Sequence, residues 1–332
     1  MVAVAALGCT ADPPQEREDS AQARSAIAAW QSATLAWGTG DTEVGLRPGA
    51  TDLPAEGPSS VAVGPSGEVL VLDRVNERAI SIATSGASHV RASLARDAEH
   101  IAAGEDGAFA AWSPLRAQVS VLGRDGSPAG ELSIPRVLRD VQRIEVGTSH
   151  RIFAVTSMQE TWSLGSPHAP LDLASILRSK REGAAFLADG RGVAARTTES
   201  GGEILVYRAP GGGDDEKIAV AWTYPIAGPL AAVRILGTTE TAVCARIERI
   251  DQDPQSEAIH VEREALCVEA GTGKVLAQQP MGGRGLYTMH EDAAVGGSPP
   301  VLVVARPEAD GLHLTRVALG EKGDLAATEV AR

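Results

Sequence analysis

The chain has 332 residues, 43% of them hydrophobic and only 3% aromatic, and a formal net charge of −13. That charge excludes a phosphate-tracking nucleic-acid partner, which would need clustered Lys and Arg. No run of about 18 apolar residues is present, so no membrane-spanning helix is expected.

Residues 2–7 read VAVAAL and are followed by Gly8 and Cys9. A short apolar stretch, a small residue and a cysteine resemble the end of a bacterial lipoprotein signal. The order of Ala6 and Leu7 departs from that pattern, and no positive segment precedes the apolar stretch. Two readings stay open: a signal remnant over 1–9 with Cys9 as the lipidation site, or a frayed terminus with a stray cysteine. Residues 10–27 are polar, with two prolines, and suit a disordered tether. Within 20–31, Ile27 and Trp30 lie three apart and predict a short lead-in helix. A β-domain is expected over 28–332.

Two segments align without a gap at an offset of 40: VAVGPSGEVLVLDRVNERAISIATSG (61–86) and IAAGEDGAFAAWSPLRAQVSVLGRDG (101–126). Gly64, Gly67 and Gly86 fall on Gly104, Gly107 and Gly126. Each copy reads as strand, glycine turn, strand, polar turn, strand. Fainter copies follow, with Gly147 and Gly237 at the Gly64 position and Gly190 at the Gly67 position. A last copy runs from Tyr287 through 312–319. Six units at this period predict an all-β propeller, with six blades of four-stranded antiparallel sheet. SATLAW (32–37) would add an N-terminal strand to the last blade and close the ring, which removes open sheet edges.

Segment 171–180 (LDLASILRSK) predicts a second short helix at an outer edge, and the basic stretch Arg178 to Arg181 reads as a solvated loop. The tryptophans read as packing residues. Residues 242–250 and 261–269 predict a hairpin whose paired positions sum to 511. Cys244 then faces Cys267, Ile250 faces Val261, and Glu248 faces Arg263, a register favoured by both its apolar and its charged pairs. Cysteines directly opposed on antiparallel strands are within disulfide reach. A disulfide there implies an oxidising compartment, hence an extracytoplasmic location in a bacterial envelope. Two buried free thiols are the alternative.

The segment GPSSVAVGPSGEVLVLDRVNERAISI (57–82) resembles an NHL repeat, with Pro58, Gly67, Asp73, Asn76 and Arg78 at the motif positions. The resemblance implies a six-bladed propeller and a structural role for Asp73, Asn76 and Arg78, which would tie the blade's second turn to backbone groups. It covers about 26 residues. In the second copy Ser113 replaces the Asp and Arg116 the Asn. Such families are chiefly binding scaffolds, with some hydrolases and lyases among related propellers, so the fold leaves the activity open.

Polar residues near the predicted inner-strand starts are Glu56, Glu99, His100, Asp140, His290, Glu291 and Asp292. Of these, Glu99, His100, Asp140, His290 and Glu291 are the candidate binding residues at the channel mouth. Converging His and carboxylates could bind calcium or zinc, or they could be solvated loop residues. No cofactor is otherwise expected. Asp251, Asp253 and Glu257 lack EF-hand spacing. No nucleophile elbow, P-loop or dinucleotide fingerprint is present. The sequence therefore points to a monomeric, non-enzymatic binding or scaffolding propeller held at a membrane only through its N-terminus. A metal-dependent hydrolase is the alternative.

Overall fold

Alternating apolar residues that face two different neighbours explain the architecture. In Val69–Asp73 every residue is buried. Val69 and Val71 pack toward one adjacent sheet, and Leu70 and Leu72 toward the other. Each sheet is thus buried on both faces, and the core is a ring of inter-sheet layers. Burying a Leu or Val side chain contributes about 1.5–3 kcal/mol.

The computed structural model describes residues 31–138, 140–208, 219–252, 259–282 and 285–319. The first strand is β1 (Ser32–Ala36). Blade 1 holds β2 (Ser60–Val63), β3 (Val69–Asp73), β4 (Arg78–Ile82) and β5 (Ser88–Ser93). Blade 2 holds β6 (His100–Ala103), β7 (Phe109–Ser113), β8 (Gln118–Leu122) and β9 (Pro128–Ser133). Blade 3 holds β10 (Val141–Val146), β11 (Ile152–Thr156), β12 (Glu160–Ser166) and β13 (Ala169–Pro170). After β13 come the helix α1 (Leu173–Arg178) and β14 (Arg181–Glu182), which pairs back onto β12. Blade 4 holds β15 (Ala185–Phe186), β16 (Gly192–Thr198), β17 (Gly201–Tyr207) and β18 (Val220–Ala227). Blade 5 holds β19 (Leu230–Thr238), β20 (Ala242–Gln252), β21 (Ile259–Glu269) and β22 (Val275–Pro280). Blade 6 holds β23 (Ala293–Gly296), β24 (Val301–Glu308) and β25 (Gly311–Ala318), and β1 completes it. The fold is a six-bladed β-propeller.

Ring closure rests on the antiparallel pairing of β1 with β25, in which Leu35 faces Leu312. The chain then turns back over the first blade. Asp73 is fully buried and accepts from Gly45 N (3.0 Å), Asn76 N (3.3 Å), Asn76 Nδ2 (2.8 Å) and Arg78 Nε (3.1 Å). Asn76 Nδ2 also donates to the Gly38 carbonyl at 2.9 Å. Arg78 Nη2 donates to the carbonyls of Gly40 (2.7 Å) and Glu43 (2.9 Å). These three side chains therefore fasten the lead-in segment 38–45 to blade 1. A Cβ on Gly45 would come within 2.6–2.7 Å of the Val75 side chain, which is why the approach needs glycine.

Blades 1, 2 and 4 share one turn, in blade 4 through Leu187 N on the Arg191 carbonyl and Gly190 at φ 84°, and blade 3 keeps its first bond alone. The amides of Gly64, Gly104 and Gly147 each donate to the carbonyl four residues ahead. Gly67 and Gly107 then take φ of 79° and 82° in the tight turns that follow. Blade 5 departs from this pattern. Gly237 lies inside β19 beside a register shift, and its hairpin closes later, with Thr239 N on the Ala242 carbonyl. The Gly237 alignment with Gly64 is therefore displaced by about two residues.

The β20–β21 register sets Cys244 opposite Cys267, Glu248 opposite Arg263 and Ile250 opposite Val261. Cys244 and Cys267 form a disulfide, with Cα atoms 4.1 Å apart, in the layer between blades 5 and 6. Helix α1 is capped by Asp172, whose side chain accepts from Ser175 N at 2.7 Å, and it buries Ile176. It falls within 171–180, where a helix was read from the sequence. Among the described residues no helix is long and apolar enough to cross a membrane. The segments 1–9 and 10–27, Cys9 and the lead-in helix through Trp30 lie outside the described residues, as do Asp253 and Glu257.

Candidate ligand site at the channel mouth

All six inner strands start on one face of the ring, so the residues at their first positions converge on the channel mouth. Ser60, His100 and Arg143 sit near the starts of β2, β6 and β10, Asp292 directly precedes β23, and Arg234 lies halfway along the longer β19. Below them a cavity of about 550 Å³ follows the channel, lined by His100, Arg143, Glu145 and Glu291. Above them a cavity of about 770 Å³ opens outward, bounded by Glu99, Arg234, Tyr287 and His290.

His100 is buried opposite Trp112 in the β6–β7 register. Its ring meets that of the exposed His290 edge-on at 5.9 Å, and His290 lies 6.5 Å from Trp112. Burial holds the His100 imidazole well below its usual 6.5, and the nearby His290 and Arg143 push it the same way. His100 is therefore neutral at pH 7, and its Nδ1 is buried without a hydrogen-bond partner. His290 Nε2 bonds the Gln142 carbonyl at 2.8 Å and so ties the approach to blade 6 onto blade 3.

Arg143 spans from blade 3 to its neighbours. It donates to the carbonyls of Ala184 (2.6 Å) and Ile235, and pairs with Glu145 at 2.9 Å. Burial pushes the Glu145 carboxyl up, against the pull of Arg143. Asp292 is buried between Arg246 at 3.1 Å and Arg263 at 2.5 Å, so it neutralises blade 5 arginines and is committed to structure.

The candidate residues therefore divide. Glu99 and His290 bound the outer cavity, and His100 and Glu291 line the channel beneath it. Glu291 also bridges to Ser60, its carbonyl accepting from Val61 N at 3.2 Å. Asp140 sits apart on an exposed turn with φ 62°, where its carbonyl accepts from Ser157 N. Glu56 lies at the cavity rim, paired with Arg47.

No family model matches the chain. No curated protein matches it. Among solved structures it is similar in fold to the virginiamycin B lyase from Staphylococcus aureus, at 12% identity over 86% of this chain and 99% of that one, with a TM-score of 0.44. It is also similar to a putative gluconolactonase, at 11% identity over 88% and 94%, with a TM-score of 0.42. A streptogramin B lyase structure gives 12% identity, 81% and 96% coverage, and a TM-score of 0.39. The propeller assignment rests on the sheet order of the chain itself.

Among the described residues, three His and carboxylate donors come within 4.8 Å of one another at Glu308, Asp310 and His313. These sit on the exposed β24–β25 hairpin, where His313 Nε2 bonds Asp310 at 2.7 Å and Arg306 pairs with Glu308 at 3.3 Å. The mouth residues do not converge in that way. What the mouth offers is a set of arginines, a neutral imidazole and aromatic walls.

Sequence reasoning missed Arg143, Arg234 and Tyr287 as cavity residues, whereas Trp112 packs in the core as the sequence reading had it. A signal for the arginines was present. Arg143 precedes Gly147 by four residues and Arg234 precedes Gly237 by three, each inside an apolar stretch at the entrance of a faint repeat. A charge within an otherwise buried strand requires a partner or a ligand.

Proposed function

We propose that the chain is a non-enzymatic binding propeller that works outside the cytoplasm and takes its ligand at the channel mouth. The observation that carries this reading is the pair of mouth cavities, about 550 and 770 Å³, whose walls combine the neutral His100, the arginines Arg143 and Arg234 and the ring of Tyr287. A concave pocket with a few convergent polar groups is where a small molecule binds. The buried Cys244–Cys267 disulfide supports an oxidising compartment. Lipid attachment at Cys9, behind a polar tether, would hold the propeller at an envelope membrane. The side chains that fasten blade 1 support grouping that blade with NHL repeats.

The test is a thermal-shift screen of small molecules on the full chain, repeated with His100→Phe and Arg234→Gln. Ligands that stabilise the native protein and lose their effect in these variants support the reading. Stabilisation that ignores both substitutions, or turnover of small esters or lactones well above buffer, refutes it. One observation favours a metal-dependent hydrolase as the second reading: a neutral His100 beside His290 could ligate a cation. Near-stoichiometric calcium or zinc by mass spectrometry, lost in His100→Ala/His290→Ala, would favour it.

A further inference from the structure

The outer cavity carries a charge arrangement that the protein leaves unbalanced. In the β19–β20 register Arg234 lies directly opposite Arg246. Like charges directly opposed across strands are destabilising. Arg246 is relieved by Asp292 at 3.1 Å and Glu248 at 3.2 Å. Arg234 is exposed, and among the described residues it makes no hydrogen bond or ion pair; the same holds for Arg74. Both arginines line the 770 Å³ cavity, and Tyr287, whose buried hydroxyl has no partner, lines it too. Among the described residues two cations without an ion-pair partner therefore face one cavity, in a chain of net charge −13.

Of the carboxylates on the same wall, Glu56 pairs with Arg47 and Glu248 with Arg246, which leaves Glu99 as the one acidic group set against Arg234 and Arg74. Pro54, Pro58 and Met289 border the cavity together with Tyr287 and the His290 ring. One side thus offers guanidinium forks, which match the planar or tetrahedral oxyanions of carboxylate and phosphate. The other side offers apolar and aromatic surface.

Resting on the binding reading above, we propose that the mouth is a receptor for a small organic oxyanion, with a carboxylate or phosphate head held by Arg234 and Arg74 and an apolar body against Tyr287, Pro58 and His290. An anion there relieves the Arg234–Arg246 opposition and adds charge-assisted hydrogen bonds in a partly enclosed site. A neutral ligand of the same shape gains neither.

The experiment uses four probes of one shape on the full-length chain: benzoate, phenyl phosphate, benzamide and benzylammonium. Binding is read by ligand-detected saturation-transfer NMR, with titration for dissociation constants. Benzoate or phenyl phosphate, or both, should bind at least tenfold more tightly than benzamide, and benzylammonium should not bind. The stronger of the two anions identifies the head group. Arg234→Gln should weaken anion binding at least tenfold and Arg74→Gln severalfold. Arg151→Gln, on the opposite face, should leave it unchanged. Arg234 is exposed and faces a like charge, so its substitution should leave the thermal melt in place or raise it slightly, and Arg234→Lys should restore part of the affinity.

Benzamide binding as well as benzoate, with both sensitive to His100→Phe, would overturn the oxyanion assignment and leave the mouth as a binding site. Anion binding equal in wild type and Arg234→Gln, or no binding of either anion, would also overturn it. Separately, a thermal-shift screen in which no ligand responds to any mouth substitution would overturn the binding reading itself.

Discussion

Asp73→Asn is a stringent test of how the ring is fastened, because the substitution keeps the shape and removes only the charge and one acceptor. Both carboxylate oxygens face donors alone: Oδ1 receives Gly45 N and Asn76 N, and Oδ2 receives Asn76 Nδ2 and Arg78 Nε. Whichever way an Asn amide is turned, its NH2 meets two donors. Removing one partner of a buried ion pair costs about 3–5 kcal/mol. Arg78 keeps backbone acceptors at Thr39, Gly40 and Glu43, which places the loss toward the lower end, about 3–4 kcal/mol. At an unfolding entropy of about 2.1 cal/mol/K per residue, a domain of about 290 residues should lose about 5–7 °C in Tm. Thermal denaturation followed by circular dichroism measures this. Hydrogen exchange over residues 38–45 should rise in parallel, because the lead-in loses its anchor. A Tm within about 1 °C of wild type, or unchanged exchange in that segment, would refute the fastening argument.

Other consequences are equally open to measurement. Cys244 and Cys267 are 23 residues apart, and closing a loop of that size is worth about 3 kcal/mol in the chain-entropy model. Cys244→Ala/Cys267→Ala should therefore melt about 5 °C lower, and reduction should affect the wild type alone. His100 is neutral in the fold because its pKa lies below 6.5, so acidification protonates the unfolded chain first. Its contribution is fully present above pH 6.5 and is lost as pH falls from there toward the folded value. His100→Gln should flatten the dependence of Tm on pH between 7 and 5, and equal slopes in the two proteins would refute this. Removing residues 1–37 strips β1 from β25 and leaves a bare strand edge on blade 6. That variant should self-associate in size-exclusion chromatography with light scattering, whereas the intact chain should not.

Architecture was legible where physics repeats. Glycines that permit tight turns recur at a fixed offset in the first two blades, and SATLAW carries the alternation of a strand with no hairpin partner nearby. The β20–β21 register could be read from paired charges and apolar residues because one slip would invert every side chain. The site was less legible. His100, His290, Glu99 and Glu291 were located from their closeness to strand starts, yet the same rule admitted Asp140, which the left-handed turn before β10 directs into an exposed position. Asp292, one of the polar residues near an inner-strand start, sits between Arg246 and Arg263, partners 46 and 29 residues away that no local pattern could name. The arginines went unread because a charge inside an apolar strand looks like noise until the ring places it at the axis.

The pairing of β1 with β25 also decides how the molecule stands on a support. Because β25 runs away from the mouth and β1 runs toward it, the chain enters at Ser32 and departs after Ala318 on the face opposite the mouth. A bead or a sensor chip joined directly at Ser32 or Ala318 would therefore carry the propeller like a cup on its stem, open side outward.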